Sequence, residues 1–509
     1  VRILPCGDAA LLVDTDDPLG LYAALADPPP AGVTDLVPAA STLLVRFDPA
    51  AVSPAELRDL LSSARPVTPT AREDDLVTVP VHYDGEDLEE VASRTGLGVP
   101  EVVRVHASAD YVVAFSGFAP GFGYLTGLDP RLRLPRRDTP RVRVPAGAVG
   151  IAGEFTGVYP RASPGGWHLL GSTSVPLWDP DRTPPALLRP GTRVRFEPVD
   201  VLEPAPAATP PPAAPAEGGL EVLQCGPLTT VQDLGRFSYA ALGVGRSGAA
   251  DARAAALANR LVGNDEGAAC LELTFGGATL LFRQPMRLAV TGAPCPLTSD
   301  GRGEAMNSPF TVAAGARLSV GAPQAGLRTY VAVRGGVDVP AVLGSRSTDV
   351  LAGLGPPVLS PGTVLPIGTA RVGPPPAVEV APVSAPESGD LVVRVLPGPR
   401  DDWFTEDALR TLTGSRYEVT ADSNRVGLRL AGPALDRARE GELPSEGMVA
   451  GSVQVPPSGQ PVLFLADHPI TGGYPVIAVL RSADLPVIAQ ARPGQGIRFR
   501  LDQRVSAAW

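Results

Sequence analysis

The chain has 509 residues, 44% of them hydrophobic and 19% charged, a globular composition with room for two to four domains of about 150 residues each. Its net charge of −11 argues against nucleic-acid binding as the main task, because phosphate contacts need a basic face. All 43 basic residues are arginine, which excludes a Walker A lysine, a lysine Schiff base and covalently attached biotin on this chain.

Residues 1–80 read as a small α/β domain. Residues 1–13 and 43–47 are strand-like, and SPAELRDLLSSA between them and the next module carries a helix start. Ser53 suits the N-cap, Pro54 the first helical position and Glu56 the third, which is a capping box. From Leu76 the pattern changes: LVTVPVHY alternates like a strand, EDLEEVASRTG and PEVVRVHASA read as short helices, and YVVAFSGF is again a strand. Short strands with dense turn signals follow as far as VRFEPV, the spacing of an antiparallel barrel or sandwich.

Residues 201–219 hold six prolines and six alanines and read as a semi-rigid linker. The module from 220 to 509 is mostly strand-like. Its helix DARAAALANRLVGN has Asp251 as cap and Gly263 as stop, and DDWFTEDALRTLTGS reads as a second helix. A Pro-rich stretch, 373–388, is expected to separate two lobes. Cys6, Cys225, Cys270 and Cys295 have neither metal-ligand spacing nor the number of a disulfide scaffold, which suits a reducing, cytoplasmic compartment. The N-terminal residues lack a signal-peptide layout, and no apolar run approaches the ~20 residues that span a bilayer.

Two Gly/Pro-rich blocks stand out, one from Phe115 to Thr173 and one from Ser445 to Pro475. Glycine admits close approach of a ligand or another backbone and proline stiffens the loop, so the pair suggests a site built from loops and shared between modules. The first block carries GFAPGFGYL from Gly117 to Leu125, PRR at 135–137, VPAG at 144–147 and SPGGW at 163–167. The second module carries TTVQDLGR at 229–236, LGSRSTD at 343–349, SNRVGLRL at 423–430, SEG at 445–447 and TGGYP at 471–475.

These motifs resemble the two families called allophanate hydrolase subunits 1 and 2, associated with the B and C components of 5-oxoprolinase, or KipI and KipA. The resemblance covers nearly the whole chain outside the linker and implies the two components fused in the order B then C. It implies a fold that is mainly β with α+β parts: the small α/β domain, a cyclophilin-like β-barrel over 81–200, then a larger carboxyltransferase-family β module with barrel-like lobes. It also implies ATP with Mg, a LamB/YcsF-type protein (the A component of 5-oxoprolinase) as partner, and activity only with that partner. Neither nucleic acid nor membrane is expected as a partner, and a homo-oligomer is open.

Opening the 5-oxoproline lactam to glutamate is uphill without ATP, and phosphorylating the carbonyl oxygen before hydrolysis is the expected solution. Such a site needs cations, oxyanion donors and a base, and arginine must supply the positive charge. Ser345, Arg346 and Asp349 are candidates for substrate or phosphate binding, the alternative being a turn held by an Arg–Asp ion pair. Gln232, Asp233 and Arg236 are binding candidates or a structural hydrogen-bond network. Gln454, Thr471, Gly472, Gly473 and Tyr474 are donor candidates, with Asp467 as a catalytic candidate beside them; the glycines also suit a tight turn. Glu446 is a base or a cap. Phe118, Phe122 and Tyr124 read as a pocket wall or as core, and His168 is the best-placed histidine for acid–base work. No histidine set forms a metal triad.

The leading reading is the fused B/C component of an ATP-dependent 5-oxoprolinase, a hydrolase acting on a cyclic amide. A second is a carboxyltransferase acting on urea or a similar amide with a biotinylated partner. A third is a KipI/KipA-like regulator of a sensor histidine kinase, although fusing inhibitor and antagonist holds them at high effective concentration and suits switchable control poorly.

Overall fold

The computed structural model describes residues 1–68, 76–204, 219–368, 373–374, 376–441 and 443–502. The expected linker at 201–219 lies outside the described residues over 205–218.

The N-terminal unit is an antiparallel four-stranded sheet with spatial order Arg2–Pro5, Ala10–Asp14, Thr42–Phe47, Val33–Pro38. Helices Pro18–Leu25 and Pro54–Ser63 cover one face, over Leu11, Val13, Leu36, Leu43 and Val45. The capping box is formed: Ser53 Oγ accepts from Glu56 N at 3.3 Å and Ser53 N donates to Glu56 Oε2 at 3.0 Å. The opposite face is apolar too. Ala10, Leu12, Val37 and Leu44 alternate with the helix-facing residues and pack on Met448, Phe464, Val476 and Val479 of the C-terminal module. The two ends of the chain therefore share a core.

The next unit is a seven-stranded sheet in which Leu76–Val81 runs parallel to Arg193–Pro198 at one edge. That edge curls back to the other: His82 N donates to Ser172 O at 2.9 Å and Ser172 N to His82 O at 2.8 Å, closing the sheet into a barrel. Helices Leu88–Thr95 and Val99–Ser108 lie outside it. The aromatic residues of the first block pack together, with Phe115 stacked on Tyr124 and Phe122 edge-on to Trp167.

The C-terminal module has two lobes. A six-stranded and a five-stranded sheet pack face to face through Val222, Leu280 and Leu318 against Leu271, Val290 and Val331. Helix Ala252–Val262 is capped by Asp251, whose Oδ1 accepts from Ala254 N at 3.0 Å, and ended by Gly263 at φ 78°. The second lobe is a closed seven-stranded barrel spanning Leu391–Pro397 to Gly496–Leu501. The helix expected over DDWFTEDALRTLTGS is split. Asp401–Trp403 is a 3₁₀ turn, Phe404 is extended and buried, and the α-helix is Glu406–Gly414 with Thr405 at its N-cap. The chain is mainly β, as expected. Among the described residues no helix is long and apolar enough to cross a membrane.

Candidate functional site

Strand Leu228–Gln232 pairs with Cys270–Thr274, so the corner that follows it, Asp233 to Arg236, emerges at one end of the sandwich. Asp233 gathers four donors there. Its Oδ1 accepts from Gly235 N at 2.7 Å, from Ser345 Oγ at 2.7 Å and from Ser347 Oγ, and its Oδ2 accepts from Arg346 N at 2.6 Å. Gln232 Nε2 donates to Thr348 O at 2.9 Å, and Arg236 Nε to Val342 O at 3.2 Å. The motifs at 229–236 and 343–349 are thus one folded unit. Arg346 pairs outward with Asp338 at 2.7 Å rather than with Asp349.

This unit presents Asp349 to Asp467. Asp349 Oδ1 accepts from Leu351 N at 3.0 Å and Ala352 N at 2.8 Å; among the described residues no donor reaches its Oδ2. Burial and then the negative charge of Asp467 push the Asp349 carboxyl up to about 6. Asp467, from the barrel lobe, is fully engaged: Arg425 Nε and Nη2 donate to it at 3.0 and 2.9 Å, and Ser247 Oγ donates at 2.7 Å. Arg425 also bonds Glu272 through Nη1 and donates from Nη2 to Gly248 O at 2.7 Å, which ties barrel to sandwich. Burial pushes the Glu272 carboxyl up, but Arg425 and Arg328 outweigh it and leave the group below the usual range. Tyr330 Oη donates to Glu272 Oε2 at 2.8 Å. Of the two aspartates, Asp467 is paired with Arg425, whereas Asp349 titrates where a general base is useful.

The first module reaches this unit. Gly121 N donates to Leu242 O at 3.1 Å, and Arg161 Nη2 donates to Leu351 O. A cleft of about 240 Å³ lies between the modules, lined by Pro120, Arg161 and Trp178 on one side and by Ala352, Gly353 and Leu354 on the other. Arg161 Nε and Trp178 Nε1 are buried there, and among the described residues neither has a hydrogen-bond partner. Burial lowers the Arg161 pKa and the Asp349 charge opposes this, so the guanidinium faces the same turn that Asp349 holds. Arg161 lies within the Gly/Pro-rich block of 115–173 but outside its PRR, VPAG and SPGGW motifs, and Trp178 lies beyond the block. Arg161 follows the Tyr159–Pro160 step just ahead of SPGGW, an arginine without a nearby acid in sequence.

The other candidates fall elsewhere. Glu446–Gly447 pairs with Thr471–Gly472, Gln454 Nε2 donates to Tyr474 O at 3.1 Å, and Gly473 completes that turn. Glu446 is buried on Arg400, whose Nε donates to it at 2.7 Å and whose Nη1 donates to Asp14 of the first module at 3.1 Å. Burial raises the Glu446 carboxyl, and Arg400 opposes the rise. Tyr474 is exposed beneath Arg437, 5.7 Å from the ring centroid. Phe122 and Tyr124 are in the core, while Phe118 is exposed and at φ 64°. His168 is completely buried on the first-module barrel, with its Nε2 3.0 Å from Pro135 O. Gly117 lies so close to Thr471 that a Cβ there would stand 2.1 Å from its Oγ1, so this glycine serves the approach of one module to the other. Among the described residues no three His, Cys, Asp or Glu side chains gather to hold a metal.

Residues 242–501 match the model of carboxyltransferase domain, subdomain A and B, and residues 1–188 that of subdomain C and D. The chain belongs to the carboxyltransferase-domain family. It is 39% identical over 283 residues to the C component of 5-oxoprolinase from Escherichia coli K12, across 55% of this chain and 90% of that protein. It is 54% identical over 125 residues to the B component of 5-oxoprolinase from Escherichia coli O157:H7, across 24% of this chain but only 57% of that protein. Urea amidolyase of Lachancea kluyveri is 34% identical over 304 residues, which span 17% of its length. The crystal structure of TTHA0988 superposes with a TM-score of 0.87 at 39% identity, covering 96% of this chain and 99% of that one. The parts that resemble the B and C components of 5-oxoprolinase are joined here in one chain.

Proposed function

We propose that this chain is the fused B/C component of an ATP-dependent 5-oxoprolinase, converting 5-oxo-L-proline to L-glutamate with a LamB/YcsF-type partner as the A component. The reading is supported by the names of the relatives of both modules and by one feature of the site: Asp349, raised to about 6, held beside the inter-module cleft that Arg161 enters. ATP with Mg would supply the phosphoryl group for the lactam oxygen. Water would then add to the activated carbon and the C–N bond would break as the ring nitrogen takes a proton, leaving an acyl phosphate that a second water hydrolyses to the carboxylate and phosphate. In this scheme Asp349 accepts the proton of the attacking water, and Arg161 with Trp178 Nε1 offers donors to the developing oxyanion. The negative charge of Asp467, itself fixed by Arg425, helps keep Asp349 in its raised state.

The test is glutamate release from 5-oxoproline and ATP, with and without the LamB/YcsF-type partner. Partner-dependent glutamate matched by ADP is expected; an assembled mixture that makes none overturns the reading. The similarity to urea amidolyase supports a second one, carboxyl transfer to urea or a similar amide from a biotinylated partner. Urea-dependent turnover with such a partner, and none with 5-oxoproline, would select it.

A further inference from the structure

A second cleft, of about 360 Å³, lies where the N-terminal sheet meets the barrel lobe, separate from the one beside Asp349. Its floor is apolar: Cys6, Ala10, Val449, Val479 and Leu480 line it. Cys6 is no nucleophile here, since burial and the Glu446 charge push its thiol up to about 12. The wall carries two guanidiniums. Arg46, on strand Thr42–Phe47, is 3.6 Å from Asp35 on the neighbouring strand. Arg246 comes from the other module; its Nε donates to Leu234 O at 3.0 Å and its guanidinium lies over the Phe237 ring, 4.2 Å from the centroid.

Asp8, Asp35 and Asp48 line the cleft together with Arg46 and Arg246. Asp35 faces both arginines and receives the backbone N–H groups of Ala240 and Ser238. Asp8 is engaged by Arg481 at 3.5 Å and by Ser482 N at 3.1 Å. Asp48 stands at the exposed rim, where its Oδ1 accepts from Ala50 N at 2.9 Å. Among the described residues Arg246 has no carboxylate within ion-pair distance and retains free Nη donors; burial together with Arg46 disfavours its charge, which Asp35 partly offsets. A ligand anion reaching the free Nη donors of Arg246 would add to the relief that Asp35 already gives. Phe237 is 47% exposed, an apolar face left uncovered at the mouth.

We propose that this cleft binds a small carboxylic acid with an apolar body. Its carboxylate lies between Arg46 and Arg246, its body rests on the apolar floor, and Phe237 covers it. The site is independent of the reaction proposed above. A fork of guanidinium donors prefers a planar carboxylate to a neutral amide of the same shape.

The test uses cyclopentanecarboxylate, which is not a lactam, and cyclopentanecarboxamide as its neutral counterpart, titrated calorimetrically into the full chain at low salt. The carboxylate is expected to bind at least about tenfold more tightly than the amide, and Arg246→Gln or Arg46→Gln to remove that preference. Phe237→Ala, at an exposed ring that cannot unfold the chain, is expected to weaken binding, and Arg161→Gln in the other cleft to leave it unchanged. Equal binding of acid and amide, no binding of the acid at millimolar concentration, or full affinity in folded Arg246→Gln and Phe237→Ala variants would overturn the proposal.

Discussion

Replacing Asp349 by asparagine should make the protein more stable and less active. A carboxyl moved from 3.8 to about 6 disfavours its own ionised form by about 3 kcal/mol. Because the folded value is the higher one, this group's favourable contribution is complete below pH 3.8 and is lost as pH rises through about 6. Asparagine keeps an oxygen for Leu351 N and Ala352 N, now 3.0 and 2.8 Å from Oδ1, and removes the charge that repels Asp467. The variant should therefore gain about 3 kcal/mol at pH 8 but only about 1 kcal/mol at pH 4.5, where the wild-type carboxyl is already protonated in the folded state. At roughly 2 °C per kcal/mol for a module of this size, calorimetry should show the transition rising by about 6 °C at pH 8. Partner-dependent glutamate formation should fall at least about a hundredfold, as for loss of a general base. A lower transition temperature at pH 8, or an equal shift at both pH values, would refute the electrostatic reasoning. Stabilisation with full activity would leave that reasoning intact and remove Asp349 from the chemistry.

Arg425→Met should lower stability by about 3–5 kcal/mol, because Asp467 loses its buried ion pair and Glu272 keeps only Arg328; adding Glu272→Gln should recover part of it in chemical denaturation, and additive losses would count against a shared network. Gly117→Ala should cost about 1–3 kcal/mol through the contact with Thr471 Oγ1. A second change, Thr471→Ala, should restore the melting temperature, since the remaining Cβ stands 3.2 Å away; no rescue would mean that the glycine serves its own loop. Cleavage within 205–218 should leave the halves associated on size exclusion, held by the shared apolar core and the Arg400–Asp14 ion pair. Ser53→Ala should cost about 1 kcal/mol by removing the capping box, read as a melting shift confined to the N-terminal unit.

Signals carried by neighbouring residues are legible in the sequence. Ser53 with Glu56, Asp251 with Gly263 and the alternation of LVTVPV each specify a local hydrogen bond or face, and each element forms where the residues place it. The split at Phe404 is not legible, because the helical pattern runs through it and only its burial in the barrel core interrupts the helix. Charges are the hardest to read. Arg425, Glu272, Arg400 and Asp14 lie far apart in the chain, and nothing local distinguishes them from solvated surface residues; docking alone makes them buried pairs. For the same reason Asp467 and Asp349 look alike in sequence, although one is saturated by Arg425 and the other is not.

One long-range fact is written in the pattern. In ALLVD at 10–14 and TLLVRF at 42–47 the run is apolar on both faces, and a sheet with only two helices to cover it has one face left over. That spare face is where Met448, Phe464, Val476 and Val479 dock, so the first module is built to be completed by the second. Glycine at 117 and at 447, where a Cβ would stand 2.5 Å from that of Leu44, lets the two backbones close to contact distance. The glycines that suggest ligand approach in the sequence serve, at these positions, to join the halves. The clefts that remain are the gaps this joint leaves at its rim, which is why both candidate sites take residues from both modules.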